Sequence, residues 1–214
     1  LLFPSIADQF AGMEFPEFYE AFGPIGAIGE MSGYLSLEVF NIAVPIGLGI
    51  YALVLGTATL AGEEEQGTLE LLLALPIPRG QLVLAKMLAM MVSLAMIAVG
   101  LCLATWVGTL IVRGESEVNV GAIDLARVAL QSWLLVVALA ALSLFLGAYL
   151  PTRRHASMVG GIILAVSYLL NSLAGVTDEL EPYRFLSLSS YYDPETLMTS
   201  GLAWQDALVL TGVI

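Results

Sequence analysis

Residues 62–80 read GEEEQGTLELLLALPIPRG and separate two apolar runs that are each long enough to cross a bilayer. We expect Gly62 to end the preceding helix as a left-handed cap, so that Glu63 and the two glutamates after it begin a new helix. Their negative charge then opposes the exposed N–H groups and the dipole of that first turn. Pro76 and Pro78 disfavour helical geometry at the residues before them and end the segment. The pattern predicts a short acid-tipped helix over residues 63–75 that lies along a membrane surface.

This predicted helix has two unlike faces. At 100° per residue, Glu63, Gly67, Glu70 and Ala74 share one narrow face of polar or small side chains. Leucines cover most of the remaining surface: Leu69, Leu71, Leu72, Leu73 and Leu75. The small face is therefore expected to meet a partner outside the membrane.

The same stretch resembles the permease subunits of ABC-2 type transporters, in which the sequence E-x-G-T-L-E-x-L-L-x-x-P-x-x-R follows the second membrane helix and forms the cytoplasmic coupling helix. The matching residues are Glu65, Gly67, Thr68, Leu69, Glu70, Leu72, Leu73, Pro76 and Arg79. The resemblance implies that these residues, with Glu63, contact a cytoplasmic ABC ATPase subunit that binds ATP and magnesium. It also implies six membrane helices, with a second permease copy or a homologue as partner.

The composition places the whole chain in a lipid bilayer. Hydrophobic residues make up 58% of the 214, charged residues make up 12%, and the mean hydropathy is +0.89. Four runs without charge are long enough to span about 30 Å of hydrocarbon: residues 39–62, 88–112, 128–150 and 156–176. The chain is therefore expected to be an all-α, multi-pass transmembrane bundle in the cell membrane.

The ends of the chain fit the same architecture. The sequence begins at Leu1 without a methionine and stops at Ile214 inside an apolar run that starts at Ala207. We expect residues 1–214 to form a single transmembrane domain whose first and sixth membrane helices are truncated. The four complete runs are then the second to fifth membrane helices.

The charges favour one orientation of this bundle. The net charge is −12, and 15 of the 19 acidic residues lie outside the segment 63–70. Four of the seven basic residues flank the turns at 63–80 and 151–155, which the positive-inside rule places in the cytoplasm. Residues 113–126 and 177–205 are then external. The acidic balance also argues against a nucleic acid partner, which requires a basic surface.

The chain lacks a nucleotide-binding P-loop and a two-histidine zinc site. A P-loop requires the sequence G-x-x-x-x-G-K-[ST], and the sole lysine, Lys86, follows Leu84 and Ala85. Zinc proteases of the H-E-x-x-H type need two histidines, and the chain has only His155. The one cysteine, Cys102, excludes an intrachain disulfide and a thiolate metal cluster. We therefore expect no catalytic residue, metal or cofactor in this chain, and ATP hydrolysis in another polypeptide.

Polar residues within the spans are the candidates for a substrate path. By analogy with ABC-2 permeases, we expect that path along the second and fifth membrane helices, with Asn41, Asn171 and Ser172 beside it. Each of the three could instead form a hydrogen bond between helices. The leading interpretation is an exporter permease. A membrane scaffold or assembly component that transports nothing is the alternative, and an intramembrane enzyme comes third.

Overall fold

The computed structural model describes residues 35–74, 78–112, 121–175, 177, 179–199 and 204–214. These residues form helices joined by turns. In chain order the helices are α1 (Leu35–Leu48), α2 (Gly49–Thr59), α3 (Ala61–Glu65), α4 (Thr68–Leu73), α5 (Arg79–Val112), α6 (Ala122–Tyr149), α7 (Arg153–Ala174), α8 (Pro194–Thr199) and α9 (Trp204–Val213). Two 3-10 turns, Glu181–Leu186 and Leu188–Tyr191, lie between α7 and α8. The turns of α1 are of the wide π type and contain Pro45.

Four helical segments are long and apolar enough to cross a membrane, as the sequence predicts. They are Val39–Thr59, which joins α1 to α2, then Arg79–Ile111, Ala122–Tyr149 and Arg153–Ala174. The second of these begins at Arg79 instead of residue 88, because Gln81 and Lys86 continue the helix without interrupting its backbone hydrogen bonds. With 34 residues, α5 is about 51 Å long at 1.5 Å per residue.

The third span, α6, forms the centre of the bundle. It packs against α2, α5, α7 and α9, and it is the most buried of the four spans. Leu125, Val128, Leu135 and Leu139 are all fully buried along its length. By contrast, α5 leaves an apolar stripe uncovered at residues 84, 88, 92, 96, 99, 103 and 107, whose spacing of three or four keeps them on one face. This stripe is the face that lipid would cover.

The first and third spans approach each other closely at Gly56. A Cβ atom there would lie 1.9 Å from the Ser143 Oγ and 2.6 Å from the Ala140 carbonyl oxygen. The Ser143 hydroxyl also donates to the Ala52 carbonyl oxygen at 3.2 Å. Contacts of this kind are typical of membrane helices, where small residues bring backbones together and a hydroxyl joins them.

The acidic segment differs from its prediction, because it is two short helices and not one. The α3 helix runs through Gly62, which is buried next to the Arg153 side chain, so Gly62 is not a left-handed cap. The left-handed residue is Gly67, with a φ of 71°, and it separates α3 from α4. Glycine adopts this conformation at no steric cost, whereas other residues resist it. The single face predicted for Glu63, Gly67, Glu70 and Ala74 is therefore wrong. Pro76 lies outside the described residues.

Candidate functional site

The acidic end of the bundle is built around the only lysine of the chain. The Lys86 ammonium on α5 forms an ion pair with the Glu63 carboxylate on α3. It also donates to the Thr59 carbonyl oxygen at the end of α2, at 2.8 Å. The two charged side chains are 11% and 31% exposed, respectively, which is more buried than a surface ion pair. Lys86 thus ties the end of one span to the beginning of another.

A second contact at this end reaches the fourth span. The backbone N–H of Arg153, the first residue of α7, donates to the Glu65 Oε1 at 2.8 Å. A carboxylate is favoured there because it compensates the free N–H groups and positive dipole of a helix N-terminus. Thr152 caps the same helix, because its Oγ1 accepts a hydrogen bond from the His155 N–H at 3.3 Å. The α3 helix is therefore attached to α2, α5 and α7 together.

Beyond Gly67 the chain is held much more loosely. Within the part of the chain that the structure describes, α4 packs mainly against α3, and the Thr68 hydroxyl donates to the Glu63 carbonyl oxygen at 3.2 Å. Glu70 is exposed and Leu71 is 73% exposed. An exposed leucine beside an exposed glutamate on a short helix offers both an apolar and a charged contact to a membrane surface or to a partner protein.

The ten residues predicted to contact the ATPase are therefore divided between places with different contacts. Glu63 and Glu65 lie on α3 and contact the bundle, while Gly67 forms the joint after it. The next residues lie on α4: Thr68, Leu69, Glu70, Leu72 and Leu73. Arg79 is exposed at the start of α5. Among those whose side chains the structure describes, Thr68, Glu70 and Arg79 combine exposure with a position outside α3.

Sequence reasoning missed the groups that hold the acidic helix. From the sequence, Lys86 and Arg153 only contribute to the basic bias that favours one orientation, and neither is predicted to contact the glutamates. One signal was available for Lys86: it is the sole lysine, and it stands near the start of the long helix that follows the glutamates. No sequence signal indicates that Glu65 accepts a hydrogen bond from a backbone N–H 88 residues away.

The opposite end of the bundle is joined by uncharged groups, which we call the hydroxyl cluster: Ser132, Ser167, Ser187, Ser189 and Tyr192. The Ser167 and Ser187 hydroxyls are 3.0 Å apart, and the Ser189 N–H donates to the Ser167 Oγ at 3.3 Å. The Ser132 and Tyr192 hydroxyls are 2.9 Å apart. All five side chains are buried.

Tyr192 is the titratable member of this cluster, and its side chain is buried. Burial raises the pKa of its phenol, and the nearby Asp193 adds to that rise, while the hydrogen bond with Ser132 opposes it. The phenol is therefore neutral at physiological pH and serves as a hydrogen-bonding group. The cluster fastens residues 187–192 to α6 and α7.

The three predicted path residues lie in different surroundings. Asn171 and Ser172 are consecutive near the end of α7, where Ser172 is buried. The Asn171 Oδ1 accepts a hydrogen bond from the Arg184 Nε at 3.1 Å, so this side chain is held by the first 3-10 turn. Asn41 is half-buried on α1. These contacts agree with the packing alternative for Asn171 and leave the role of all three in transport a prediction.

A separate apolar groove of about 580 Å³ lies between the first and fourth spans. Helices α1 and α2 line one side of the groove, and α7 lines the other side. The lining residues are Ile46, Ile50, Leu53, Val54, Ser157, Gly161, Leu164, Ala165, Tyr168 and Leu169. The spans that border it are the predicted second and fifth membrane helices.

The chain matches a known protein family. A family model described as "ABC-2 family transporter protein" matches residues 1–209. No curated protein and no solved structure gave a significant match.

Proposed function

The chain belongs to the ABC-2 family of transporter proteins, and we propose that it is the membrane-spanning permease subunit of an ATP-driven exporter. A separate cytoplasmic ABC ATPase subunit binds ATP and magnesium and hydrolyses the nucleotide. A second permease copy or a homologue completes the membrane part. The observation that carries the proposal is the attachment of one acidic helix to three spans at one end of the bundle.

This attachment suggests how a force from the ATPase reaches the membrane-spanning helices. A displacement of α3 reaches α2 through the backbone, α5 through the Glu63–Lys86 ion pair, and α7 through the Glu65–Arg153 hydrogen bond. Closure of the ATPase pushes the acidic segment, and these contacts convert the push into a change in the relative angle of the spans. Alternating access of a transport path then follows from the motion of whole helices.

The docking surface of this mechanism is α4 and not α3. The carboxylates of Glu63 and Glu65 are already used within the chain. Glu70 and Leu71 are exposed, and Gly67 gives α4 a direction different from that of α3. In the proposed complex α4 contacts the ATPase, and α3 passes the force to the spans.

We place the transport path along the groove between the first and fourth spans. Its lining is almost entirely apolar, which suits an apolar or amphipathic substrate that enters from the bilayer better than a free ion. Asn41, Asn171 and Ser172 then lie near the external exit of the path. A second permease copy facing the groove would enclose it.

The decisive experiment is co-purification of the complete protein with the products of its neighbouring genes, followed by a test for substrate-stimulated ATP hydrolysis in liposomes. Glu70→Arg is expected to reduce the co-purified ATPase at least tenfold. Glu181→Arg makes the same charge change at an exposed position beyond α7 and should leave the complex intact.

Two outcomes would contradict different parts of the proposal. Normal ATPase binding by Glu70→Arg would remove α4 from the interface. A stable complex whose ATP hydrolysis no candidate substrate stimulates would instead favour the scaffold interpretation.

A further inference from the structure

The apolar groove between the first and fourth spans has an exposed arginine at one end. Along α7 the groove extends from Ser157 to Leu169. Arg154 lies three residues before Ser157 and seven before Gly161, so these three residues share one face of α7. Arg154 is exposed, and it belongs to the first turn of the helix. The groove therefore ends beside a positive charge, on the side of the bundle that holds the acidic segment.

Arg154 differs from the arginine before it in what it contacts. The Arg153 side chain lies next to Gly62, and the Arg153 N–H donates to the Glu65 carboxylate. Arg154 is about 100° further round α7 and so lies on a different face. Within the described residues, its guanidinium has no ion pair and no hydrogen bond. A guanidinium in this state can bind phosphate oxygens through two parallel N–H groups.

The floor of the groove is closed by contacts between α2 and α7. A Cβ atom at Gly160 would lie 2.6 Å from the Leu53 Cδ2, so the two helices approach closely there. The Thr57 and Ser157 hydroxyls are 3.1 Å apart and join the same helices near the end of the groove. The groove is therefore a surface between two packed helices, and not a gap that separates them.

Gly161 keeps part of this groove empty. A Cβ atom at Gly161 would meet no neighbouring atom within 4 Å, in contrast to one at Gly160. Glycine weakens a helix relative to alanine, so two consecutive glycines in α7 call for a reason at each position. Contact with Leu53 explains Gly160. Gly161 lines the groove, and its missing side chain provides room there.

The length and the lining of the groove match one hydrocarbon chain. Ser157 and Leu169 are twelve residues apart, which is about 18 Å along α7 at 1.5 Å per residue. One leaflet contributes about 15 Å, which is half of the hydrocarbon thickness of a bilayer. Apart from Ser157 and the buried Tyr168, the lining side chains are apolar.

From this geometry we propose that the groove holds one hydrocarbon chain of an anionic lipid and that Arg154 binds the phosphate of its headgroup. The inference rests on the proposed transport path and narrows its substrate class to anionic amphiphiles from the leaflet at the acidic end. Helical side chains tilt toward the N-terminus, so the long Arg154 side chain reaches the headgroup layer while the chain of the lipid lies beside Gly161. A choline headgroup would instead bring a second positive charge close to the arginine.

Binding is tested without an ATPase, so failure of the lipid site and failure of the proposed transport function are distinguishable. The complete protein is placed in phosphatidylcholine nanodiscs with hexadecyl phosphate that carries a diazirine in its chain. Labelled residues are then identified by mass spectrometry. Hexadecyl phosphocholine with the same diazirine is the matched probe. We expect hexadecyl phosphate to label the groove residues of α2 and α7 at least fivefold more than hexadecyl phosphocholine does.

Two pairs of variants separate the chain from the headgroup. Gly161→Phe places a ring in the groove and should reduce labelling by hexadecyl phosphate at least tenfold. Its control is Gly100→Phe, because Gly100 has equally open surroundings on α5, outside the groove, and labelling should change less than twofold. Arg154→Gln should reduce labelling by hexadecyl phosphate about fivefold and leave that by hexadecyl phosphocholine unchanged. Arg79→Gln removes another exposed arginine, at the start of α5, and should change either signal less than twofold.

Four results would overturn the lipid site. They are the absence of groove labelling, as when a second copy covers the groove; equal labelling by the two probes; unchanged labelling in Arg154→Gln, which alters an exposed residue and serves even if Gly161→Phe does not fold; and displacement of the probe by inorganic phosphate relative to chloride at equal ionic strength. The last result would assign Arg154 to free phosphate. Labelling as expected, with ATP hydrolysis that no anionic amphiphile stimulates, would leave the lipid site in place and contradict its use as a transport path.

Discussion

The two ends of the helical bundle are held together by opposite kinds of chemistry. At the acidic end, charged side chains that keep some contact with solvent attach α3 to three spans. At the other end, buried serine and tyrosine hydroxyls attach residues 187–192 to α6 and α7. The Glu63–Lys86 pair keeps some contact with solvent, so water can replace its contacts when it opens. Buried hydroxyls must find a partner inside the protein, so opening the hydroxyl cluster leaves unsatisfied groups.

In the proposed mechanism, this difference predicts that the acidic end moves while the end with the hydroxyl cluster stays assembled, and we call them the moving end and the fixed end. The moving end also contains Gly67 and α4, in which Thr68, Glu70 and Leu71 are exposed. The fixed end contains the most enclosed tyrosine of the described chain. An ATPase that pushes on the acidic end would thus rotate the spans about an end that stays assembled.

The largest effect is expected at the fixed end. Tyr192→Ala removes a buried ring and leaves the Ser132 hydroxyl without this partner. It should lower the free energy of unfolding by about 3–5 kcal/mol. Tyr183→Ala is the matched control, because that side chain is 55% exposed, and its change should stay within about 0.5 kcal/mol. Equal unfolding midpoints for the two variants in detergent would refute the claim that Tyr192 and the hydroxyl cluster hold this end of the bundle together.

A smaller loss is expected at the centre of the acidic end. Lys86→Met keeps an unbranched side chain, one atom shorter, but leaves the Glu63 carboxylate and the Thr59 carbonyl oxygen without its donor. We expect a loss of about 1.5–3 kcal/mol in the free energy of unfolding from hydrogen bonds to a charged group. Adding Glu63→Gln to Lys86→Met should cost little more than Lys86→Met alone. Full additivity in a double-mutant cycle would show that the two residues act separately.

The stability of the joint before α4 should depend on which backbone conformations residue 67 can adopt, and less on the size of its side chain. Gly67→Ala places a Cβ in the left-handed region, at a cost of about 1–2 kcal/mol, whereas Gly67→Asn is tolerated better. We expect faster amide hydrogen exchange in α4 for Gly67→Ala than for Gly67→Asn, with unchanged exchange in α6. Gly67→Trp should, in addition, uncouple or detach the ATPase. If alanine and asparagine are equivalent, the left-handed joint is not the reason for this glycine.

The smallest effect concerns pH at the fixed end. The pKa of Asp206 is raised by burial and by Asp193, so the folded state prefers its protonated form. Its contribution to stability is present below the ordinary aspartate pKa and is lost as pH rises through the higher folded value. Wild-type protein should therefore lose slightly more stability than Asp206→Asn between pH 4 and 7, with a difference in Tm below about 2 °C. A larger loss of stability in Asp206→Asn than in wild-type protein between pH 4 and 7 would contradict this prediction.

The sequence predicted the parts of this fold that depend on composition and length. The four spans follow from uncharged runs, although α7 begins at Arg153, inside the turn that the sequence predicted over residues 151–155. It could not predict the break at Gly67, because Gly62 and Gly67 are equally able to adopt a left-handed conformation. Packing of the Arg153 side chain against Gly62 decides between them, and this contact joins residues far apart in the chain.

The same limit applies to the two candidate sites. The E-x-G-T-L-E motif identifies the acidic segment, but not which of its carboxylates are already used within the chain. The contacts at the other end also combine distant residues, since the Gln131 Nε2 on α6 donates to the Tyr191 carbonyl oxygen, and no local pattern marks Gln131 as different from other polar residues in a span. The cytoplasmic location of the acidic end stays a prediction.

The length of α5 gives the membrane itself a role in this protein. Even its uncharged part, residues 88–112, measures about 37 Å at 1.5 Å per residue, against about 30 Å of hydrocarbon. The excess is accommodated by tilting of α5 or by local thickening of the bilayer, each at a modest cost per ångström of mismatch. Because Lys86 joins this helix to α3, lipids with longer acyl chains would favour a more upright α5 and shift the rest position of the acidic segment. In the proposed mechanism, bilayer thickness would then adjust how readily the spans respond to a push on the acidic segment.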